Sequence, residues 1–267
     1  MSTPPRLRAT KIICTIGPAT DTSDMLGSLI QAGANVFRLN MSHSKHDWVR
    51  EVVFRIRRKA AELQANVAIL FDLQGPSIRT GDLSEPYNLK AGDIMEIRLS
   101  TAEPELPFST TVNYDGLLQD VQAGHTMVVD NGGILMRIEE VRPDRLICKV
   151  LTEGVFGSRR HINLPGVALR LPALTEKDLK DLKVAVECET DYVAMSFVRD
   201  AAHIAELREH IDNLGGRAQI IAKIEDQQAI RHIDDIILAA DVIMVARGDL
   251  GIEVSIEELP IIQRRII

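Results

Sequence analysis

Three charged side chains follow two apolar runs in the second half of the chain. Lys223 comes two residues after Ile220-Ile221, Glu225 follows two residues later, and Asp249 comes shortly after residues 242–245. Apolar, β-branched runs between polar helical segments indicate strands that are buried on both faces of a parallel sheet. Two carboxylates and a cation at neighbouring strand ends could bind a divalent ion and meet negative charge, although a pair of strand-end salt bridges is the alternative.

Composition excludes several classes of protein. The chain has 267 residues, which is enough for one large barrel or for two domains. A net charge of −7 gives no overall basic field for nucleic acid or an anionic membrane. The N-terminal stretch is basic but short and polar, and no apolar run has transmembrane length, so we expect neither a secretory leader nor a membrane segment. Cys14, Cys148 and Cys188 lack CxxC spacing, which argues for a reducing cytoplasm and against a disulfide framework or a zinc site.

Alternating strand and helix patterns frame the charged residues. Strands are predicted at residues 11–16, 35–39, 67–72, 192–196, 219–223 and 241–245, and helices at 21–32, 45–64, 175–187, 201–213, 226–239 and from 255. This rhythm is typical of βαβ units and a parallel sheet. In β/α barrels the active site lies at the ends of the strands, where polar residues collect in this sequence. They include Thr15, Arg38, Asn40, Ser42, Asp72 and Arg79.

The rhythm is interrupted between residues 76 and 170. Short alternating segments with turn signals such as Asn131-Gly132-Gly133 predict a small all-β domain inserted between a strand and its helix. Thr175 and Asp178 then form a capping-box pattern where the helical rhythm resumes. We therefore expect a barrel domain in two parts, residues 1–75 and 171–267, around an inserted domain at 76–170. Six β/α units suit an incomplete eight-stranded barrel and predict a fragment of a longer protein, with an open six-unit sheet as the alternative.

Several motifs in fixed order resemble the pyruvate kinase family. They are KIICTIGPAT at 11–20, FRLNMSHS at 37–44, FDLQGPSIRTG at 71–81, INLPG at 162–166, AKIED at 222–226 and ARGDLG at 246–251. The resemblance implies an α/β fold with a (β/α)8 TIM-type barrel, a β-rich lid inserted after the third strand, and a C-terminal domain that this chain does not include. It also implies transfer of a phosphoryl group from phosphoenolpyruvate to ADP, giving pyruvate and ATP in glycolysis.

The resemblance assigns roles to the strand-end residues. Lys223 corresponds to the lysine at the transferring phosphoryl group, and Arg38 and Arg79 correspond to phosphate-binding arginines, for which pairing with acids such as Asp72 is the alternative. Glu225 and Asp249 correspond to ligands of Mg²⁺ or Mn²⁺. The Gly248 and Asp249 amides would bind the carboxylate of the three-carbon substrate. Lys223 and Arg38, on its phosphoryl group, complete the predicted substrate-binding residues.

A second group of residues corresponds to the monovalent-cation and nucleotide sites of the family. The K⁺ ligands would be Asn40, Ser42, Asp72 and the Leu73 carbonyl, and the nucleotide would contact Asn40, His43, Arg79, Asp130 and Arg160. His43 could instead be a surface histidine, and Phe197, which corresponds to an active-site aromatic residue, could instead pack in the core.

Three departures from the family pattern affect these assignments. Ser77 stands where the family usually has glutamate, or lysine in forms that do not need K⁺, so the K⁺ requirement stays open. Asn131 replaces an acidic residue of the family's lid motif, and Arg160-His161 replaces Lys-Gly. Nucleotide binding by the lid is therefore the role that the resemblance supports least.

Two rival functions remain beside pyruvate kinase. One is a metal-dependent lyase or aldolase that stabilises a pyruvate enolate, and the other is a non-catalytic binding or regulatory protein derived from a pyruvate kinase. We expect the chain as given to be inactive or very weak alone. In the family, the strand after the sixth carries a threonine that faces the enolate, and nothing in this chain can supply that threonine. The resemblance further implies a cytoplasmic homotetramer for the full-length protein.

Overall fold

The computed structural model describes residues 9–267, and the basic stretch at residues 1–8 lies outside the described residues, together with the expectations made for it. The strands are β1 (Ile13–Ile16), β2 (Val36–Asn40), β3 (Ala68–Asp72), β4 (Tyr87–Leu89), β5 (Ile94–Arg98), β6 (Ser109–Thr111), β7 (Thr126–Val129), β8 (Ile134–Val141), β9 (Arg145–Val150), β10 (Gly154–Phe156), β11 (Ile162–Asn163), β12 (Tyr192–Met195), β13 (Gln219–Ile224) and β14 (Val242–Val245). The helices are α1 (Ser23–Ala32), α2 (His46–Glu62), α3 (Leu117–Asp120), α4 (Glu176–Glu187), α5 (Ala201–Asn213), α6 (Gln227–Arg231), α7 (Ile233–Ala239), α8 (Arg247–Glu253) and α9 (Leu259–Ile266).

Six parallel strands form the main sheet, in the order β1-β2-β3-β12-β13-β14. Every strand follows its neighbour through a helix, except that β3 is followed first by the inserted segment, so the predicted βαβ alternation is confirmed. In the described part of the chain, β1 and β14 each pair on one side, as in an incomplete β/α barrel. The parallel register places Asn40 beside Asp72 at the carboxyl ends of β2 and β3, which gathers the polar strand-end residues on one side of the sheet.

The helices pack an apolar face on this sheet. Apolar residues recur every four positions along α2, and Val52, Ile56 and Ala60 are all buried. They pack in one cluster with Phe37 and Phe71, and burial of each large apolar side chain stabilises the fold by roughly 1.5–3 kcal/mol.

The inserted segment has its own sheet and its own core. Its strands lie in the order β11-β7-β8-β9-β5-β6, with β10 and β4 paired separately, and Met95, Met136 and Phe156 are among its fully buried side chains. A four-residue helix, α3, interrupts the otherwise all-β segment and was not predicted. We call residues 76–170 the lid.

Both ends of the lid are bound by barrel residues. The Gly75 amide donates to the Asp178 carboxylate at 3.1 Å, and the same carboxylate accepts the Thr175 amide at 2.9 Å in the predicted capping box. At the other end, the buried Arg199 guanidinium donates to the carbonyls of Leu171 and Pro172.

Three barrel helices differ from the prediction, and one of them, α8 (Arg247–Glu253), is not among the predicted helices. The helix expected at 226–239 is broken at His232, which ends α6 and begins α7 and lets Ala229, Ile233 and Ile236 all reach the core. The helix expected from residue 255 begins at Leu259, with a proline in its first turn, where a missing N–H costs little.

Within residues 9–267, none of the helices combines the length and the apolar character that a membrane span requires.

Candidate active site

One cleft of about 410 Å³ lies between the lid and the carboxyl ends of the main-sheet strands. Every site residue predicted from the sequence lines this cleft, with the exception of Gly248. From the barrel come Arg38, Asn40, Ser42, His43, Asp72, Leu73, Phe197, Lys223, Glu225 and Asp249, and from the lid come Ser77, Arg79, Asp130 and Arg160.

Lys223 lies at the floor of the cleft, where three oxygen atoms surround its ammonium group. Its Nζ atom is 2.9 Å from Glu225 Oε1, 3.3 Å from Asp72 Oδ1 and 2.7 Å from Ser196 Oγ. Burial disfavours the charged form, but the two carboxylates outweigh burial and raise the pKa of Lys223. The salt bridges considered as the alternative are therefore present, and they hold a cation in the cleft.

The Glu225 carboxyl is almost completely buried and is held from two sides. Lys223 contacts Oε1, and the Phe197 amide donates to Oε2 at 2.6 Å. Burial raises the pKa of Glu225 to about 7; Lys223 opposes this shift and the neighbouring Asp249 carboxylate adds to it. Two carboxylates that repel each other at this depth, beside open cleft volume, are a fitting pair of ligands for a divalent cation.

Phe197 has a left-handed backbone, with φ = 56°. This conformation costs roughly 1–2 kcal/mol for a residue with a side chain, and it aims the Phe197 amide at Glu225. Gly75 follows β3 beside this turn with φ = 70°, and a Cβ there would lie 3.0 Å from both the Phe197 ring and Ser196. Glycine is therefore required at position 75.

Arg38 and Asp72 form a second ion pair, with Arg38 Nε 2.6 Å from Asp72 Oδ2. Arg38 Nη1 also donates to Thr15 Oγ1 at 2.8 Å. The pairing considered as an alternative for Arg38 is thus present, and the guanidinium still lines the cleft. Among the described residues, Asp72 Oδ1 has no hydrogen-bond partner although it is buried, and the Lys223 ammonium lies 3.3 Å from it.

Two of the oxygen atoms predicted to bind a monovalent cation already accept hydrogen bonds from the protein. Asn40 Oδ1 accepts the Ser42 amide at 3.1 Å, and the Leu73 carbonyl accepts the Ser196 hydroxyl at 2.8 Å. Each of these oxygens keeps a lone pair, so they could contribute to a cation site beside Asp72.

The lid contributes a positive wall. Arg79 donates to Ser77 Oγ at 3.3 Å and to the Arg159 carbonyl at 3.1 Å, so its contacts differ from the pairing with Asp72 considered as the alternative. Arg160 donates to Asp130 at 3.2 Å, while its buried Nε has no partner within residues 9–267.

Ser196 is a site residue that the sequence did not single out. Its hydroxyl accepts from Lys223 and donates to Leu73, so it fixes the lysine relative to β3. Its place at the end of a predicted strand, directly before Phe197, was the available signal.

Gly248 is exposed in the first turn of α8, and a Cβ there would meet no atom within 4 Å, so protein packing does not explain the glycine.

Comparison with known proteins decides the family. A family model described as the barrel domain of pyruvate kinase matches residues 7–267. The chain belongs to the pyruvate kinase family. It is 40% identical to plastidial pyruvate kinase 2 of Arabidopsis thaliana over 100% of this chain and 46% of that protein, and 40% identical to a pyruvate kinase of Clostridium perfringens over 98% of this chain and 56% of that protein. A pyruvate kinase of Staphylococcus aureus is 36% identical over 98% of the chain and 45% of its own length.

The chain therefore spans about half the length of these pyruvate kinases. The family and the barrel-type α/β fold predicted from the sequence are both confirmed. The individual roles of the cleft residues stay predictions.

Proposed function

We propose that this chain carries the phosphoryl-transfer site of a pyruvate kinase, which moves a phosphoryl group from phosphoenolpyruvate to ADP. The observation that carries the proposal is the convergence of Lys223, Arg38 and Arg79 with the carboxylates Glu225 and Asp249 in one cleft. A lyase or aldolase that stabilises a pyruvate enolate would need the carboxylates, but it would not need three cations and a lid around them.

The reaction needs positioning and positive charge more than covalent chemistry. The bond between phosphorus and the enol oxygen breaks, a bond from phosphorus to a terminal ADP oxygen forms, and negative charge spreads over the transferring group. Lys223, held by Glu225, Asp72 and Ser196, would face that charge without having to reorganise. Arg38, fixed by Asp72 and Thr15, would bind phosphate oxygens from the side of β2.

A divalent cation, Mg²⁺ or Mn²⁺, would be held by Glu225 and Asp249, with substrate oxygens and water completing its shell. When bound, it would supply charge stabilisation to the substrate oxygens. The electrostatic repulsion that Asp249 exerts on Glu225 supports this assignment, because a cation would relieve it. Asn40, Ser42, Asp72 and the Leu73 carbonyl would hold K⁺ if the enzyme uses it, which Ser77 leaves open.

ADP would enter from the side of the lid. Asp130 and Arg160 contact each other on the lid wall, and Arg79 and the exposed His43 line the same cleft, which supports this assignment. The substrate carboxylate would meet the first turn of α8 at Gly248 and Asp249. A cytoplasmic homotetramer remains part of the proposal, and the three free cysteines suit a reducing compartment.

Two measurements on the purified chain test this function. The first is Mn²⁺ binding by electron paramagnetic resonance, with and without phosphoenolpyruvate, and the second is pyruvate formation with ADP and Mg²⁺. We expect Mn²⁺ and phosphoenolpyruvate to strengthen each other's binding, and turnover by this chain alone to be very weak. Full turnover would refute the expected weakness, whereas absence of mutual strengthening would contradict the proposed site and favour a non-catalytic relative.

A further inference from the structure

A direct hydrogen bond joins the last strand of the lid to the helix that carries Gly248 and Asp249. Asn163 in β11 donates through Nδ2 to Glu253 Oε1, at the end of α8, at 3.2 Å. Both residues are buried, with 6% and 9% of their surface exposed. Gln227 Nε2 donates to the Glu253 carbonyl, so the end of α8 is also tied to α6.

The amide oxygen of Asn163 has no donor. Asn163 Oδ1 is buried and, within residues 9–267, has no hydrogen-bond partner. An ionised Glu253 carboxylate offers acceptors only, whereas a protonated carboxyl group also offers an O–H donor. A carboxyl and a carboxamide can therefore join through two hydrogen bonds, one in each direction, when the acid carries its proton.

The surroundings of Glu253 favour the protonated form near neutral pH. Burial raises the pKa of Glu253 to about 7, the Asn163 hydrogen bond opposes the shift, and the carboxylates of Asp226 and Asp249 add to it. Asn163 and Glu253 line a cavity of about 210 Å³ between lid and barrel. The other charged or titratable groups that face it are Glu225, Asp226, His161, Arg199, Arg231 and His232. Of the arginines, Arg199 is committed to the Leu171 and Pro172 carbonyls.

We propose that Asn163 and Glu253 are positioning residues that form a proton-dependent clasp between the lid and helix α8. With the carboxyl group protonated, two hydrogen bonds hold β11 against α8 and fix the first turn of α8 relative to the lid. When Glu253 ionises, only the bond from Asn163 Nδ2 remains and the buried Asn163 Oδ1 has no donor, so the lid is held more weakly. The consequence for substrate binding rests on the proposed function, whereas the clasp itself does not.

Hydrogen exchange of the purified chain tests the clasp without any assay of activity. Protection of the β11 and α8 amides, corrected for intrinsic exchange, is compared at pH 6 and pH 8 in the wild type and four variants. Glu253→Gln keeps the shape and makes both hydrogen bonds at any pH. Glu253→Ala and Asn163→Ala remove them, and Glu257→Gln removes an exposed carboxylate outside the clasp.

We expect wild-type protection to fall about tenfold from pH 6 to pH 8. Glu257→Gln should retain this fall, whereas Glu253→Gln should lose most of it and keep only the part that comes from Glu225, whose pKa is also about 7. Both alanine variants should be poorly protected at both pH values, and the double variant should be no worse than either. A fall in Glu253→Gln as large as in the wild type, or alanine effects that add, would overturn the clasp. Failure of phosphoenolpyruvate binding alongside a normal exchange pattern would count against the proposed function only.

Discussion

Lys223 in β13 and Glu225, the residue directly after that strand, point into the same cleft, and their side chains form an ion pair of 2.9 Å. Residues i and i+2 of a strand share a face, so the AKIED motif places a cation and a carboxylate side by side. Asp72 at the end of β3 approaches the same lysine from the neighbouring side. The lysine therefore remains charged in a nearly buried position, which is the property that a phosphoryl clamp requires.

Replacing Lys223 by methionine removes this charge and keeps much of the side-chain volume. In a polypeptide that contains this chain and turns over, we expect phosphoryl transfer to fall by about 10²–10³-fold or more. Proton exchange on pyruvate should survive better, because it does not involve the phosphoryl group. Pyruvate formation and tritium release measure the two steps, with the exposed Lys180→Met as the matched control. Equal loss of both steps would contradict the role given to Lys223.

Removing the Ser196 hydroxyl should loosen the lysine without removing its charge. A hydrogen bond to a charged group contributes about 1.5–3 kcal/mol, so we expect Ser196→Ala to lower kcat by about tenfold or more with a smaller effect on KM for phosphoenolpyruvate. Ser196→Thr keeps the hydroxyl and should recover most of kcat. Steady-state kinetics decide the matter, and a threonine variant as impaired as alanine would argue for a packing role only.

Replacing Asp249 by asparagine should weaken binding of the divalent cation selectively. In the part of the chain that the structure describes, no hydrogen bond ends on the Asp249 carboxylate, so we expect little change in the free energy of unfolding. The dissociation constant for Mn²⁺ should rise at least about tenfold, a loss of about 1.4 kcal/mol. Paramagnetic resonance gives the constant, and Asp234→Asn on the exposed side of α7 is the control. Unchanged Mn²⁺ affinity in Asp249→Asn would remove Asp249 from the metal site.

Stability should depend on pH through Glu253. Its pKa is about 7 in the folded chain and lies near its ordinary 4.5 in the unfolded chain, so the unfolded state binds fewer protons between these values. The free energy of unfolding therefore falls as pH rises from about 4.5 to 7, by on the order of 3 kcal/mol from this residue. Urea unfolding at pH 5 and pH 8 should show a smaller fall in Glu253→Gln than in the wild type, since Glu225 titrates in both. An identical fall in the two proteins would exclude Glu253 as a contributor.

The sequence predicted the main sheet because its strands are long apolar runs bounded by helices with clear capping signals, as at Thr175 and Asp178. It also predicted most of the residues that line the cleft, since parallel strands bring their carboxyl ends together and the family motifs fall there. Ser196 was missed because its role depends on contacts with Leu73 and Lys223, which are distant in sequence. The break at His232 was missed because the apolar positions on either side of it continue a helical spacing.

Contacts between the lid and the barrel could not be predicted from the hydrophobic periodicity of the sequence. Asn163 and Glu253 are 90 residues apart in the sequence. Asn163 belongs to the INLPG motif, and Glu253 lies two residues beyond the ARGDLG motif. The left-handed backbone of Phe197 is equally hidden, because phenylalanine carries no preference for it and the surrounding packing imposes it.

The two lid ends are fastened independently of the lid's own core. The Asp178 carboxylate accepts a hydrogen bond from the Gly75 amide where the chain leaves the barrel, and Arg199 donates to the Leu171 and Pro172 carbonyls where it returns. Residues of the barrel therefore fix both ends of the insertion. Such an arrangement makes the insertion exchangeable. A short loop spliced between these two anchors should give a lidless barrel that still folds, and a foreign domain grafted there would inherit a fixed position above the cleft.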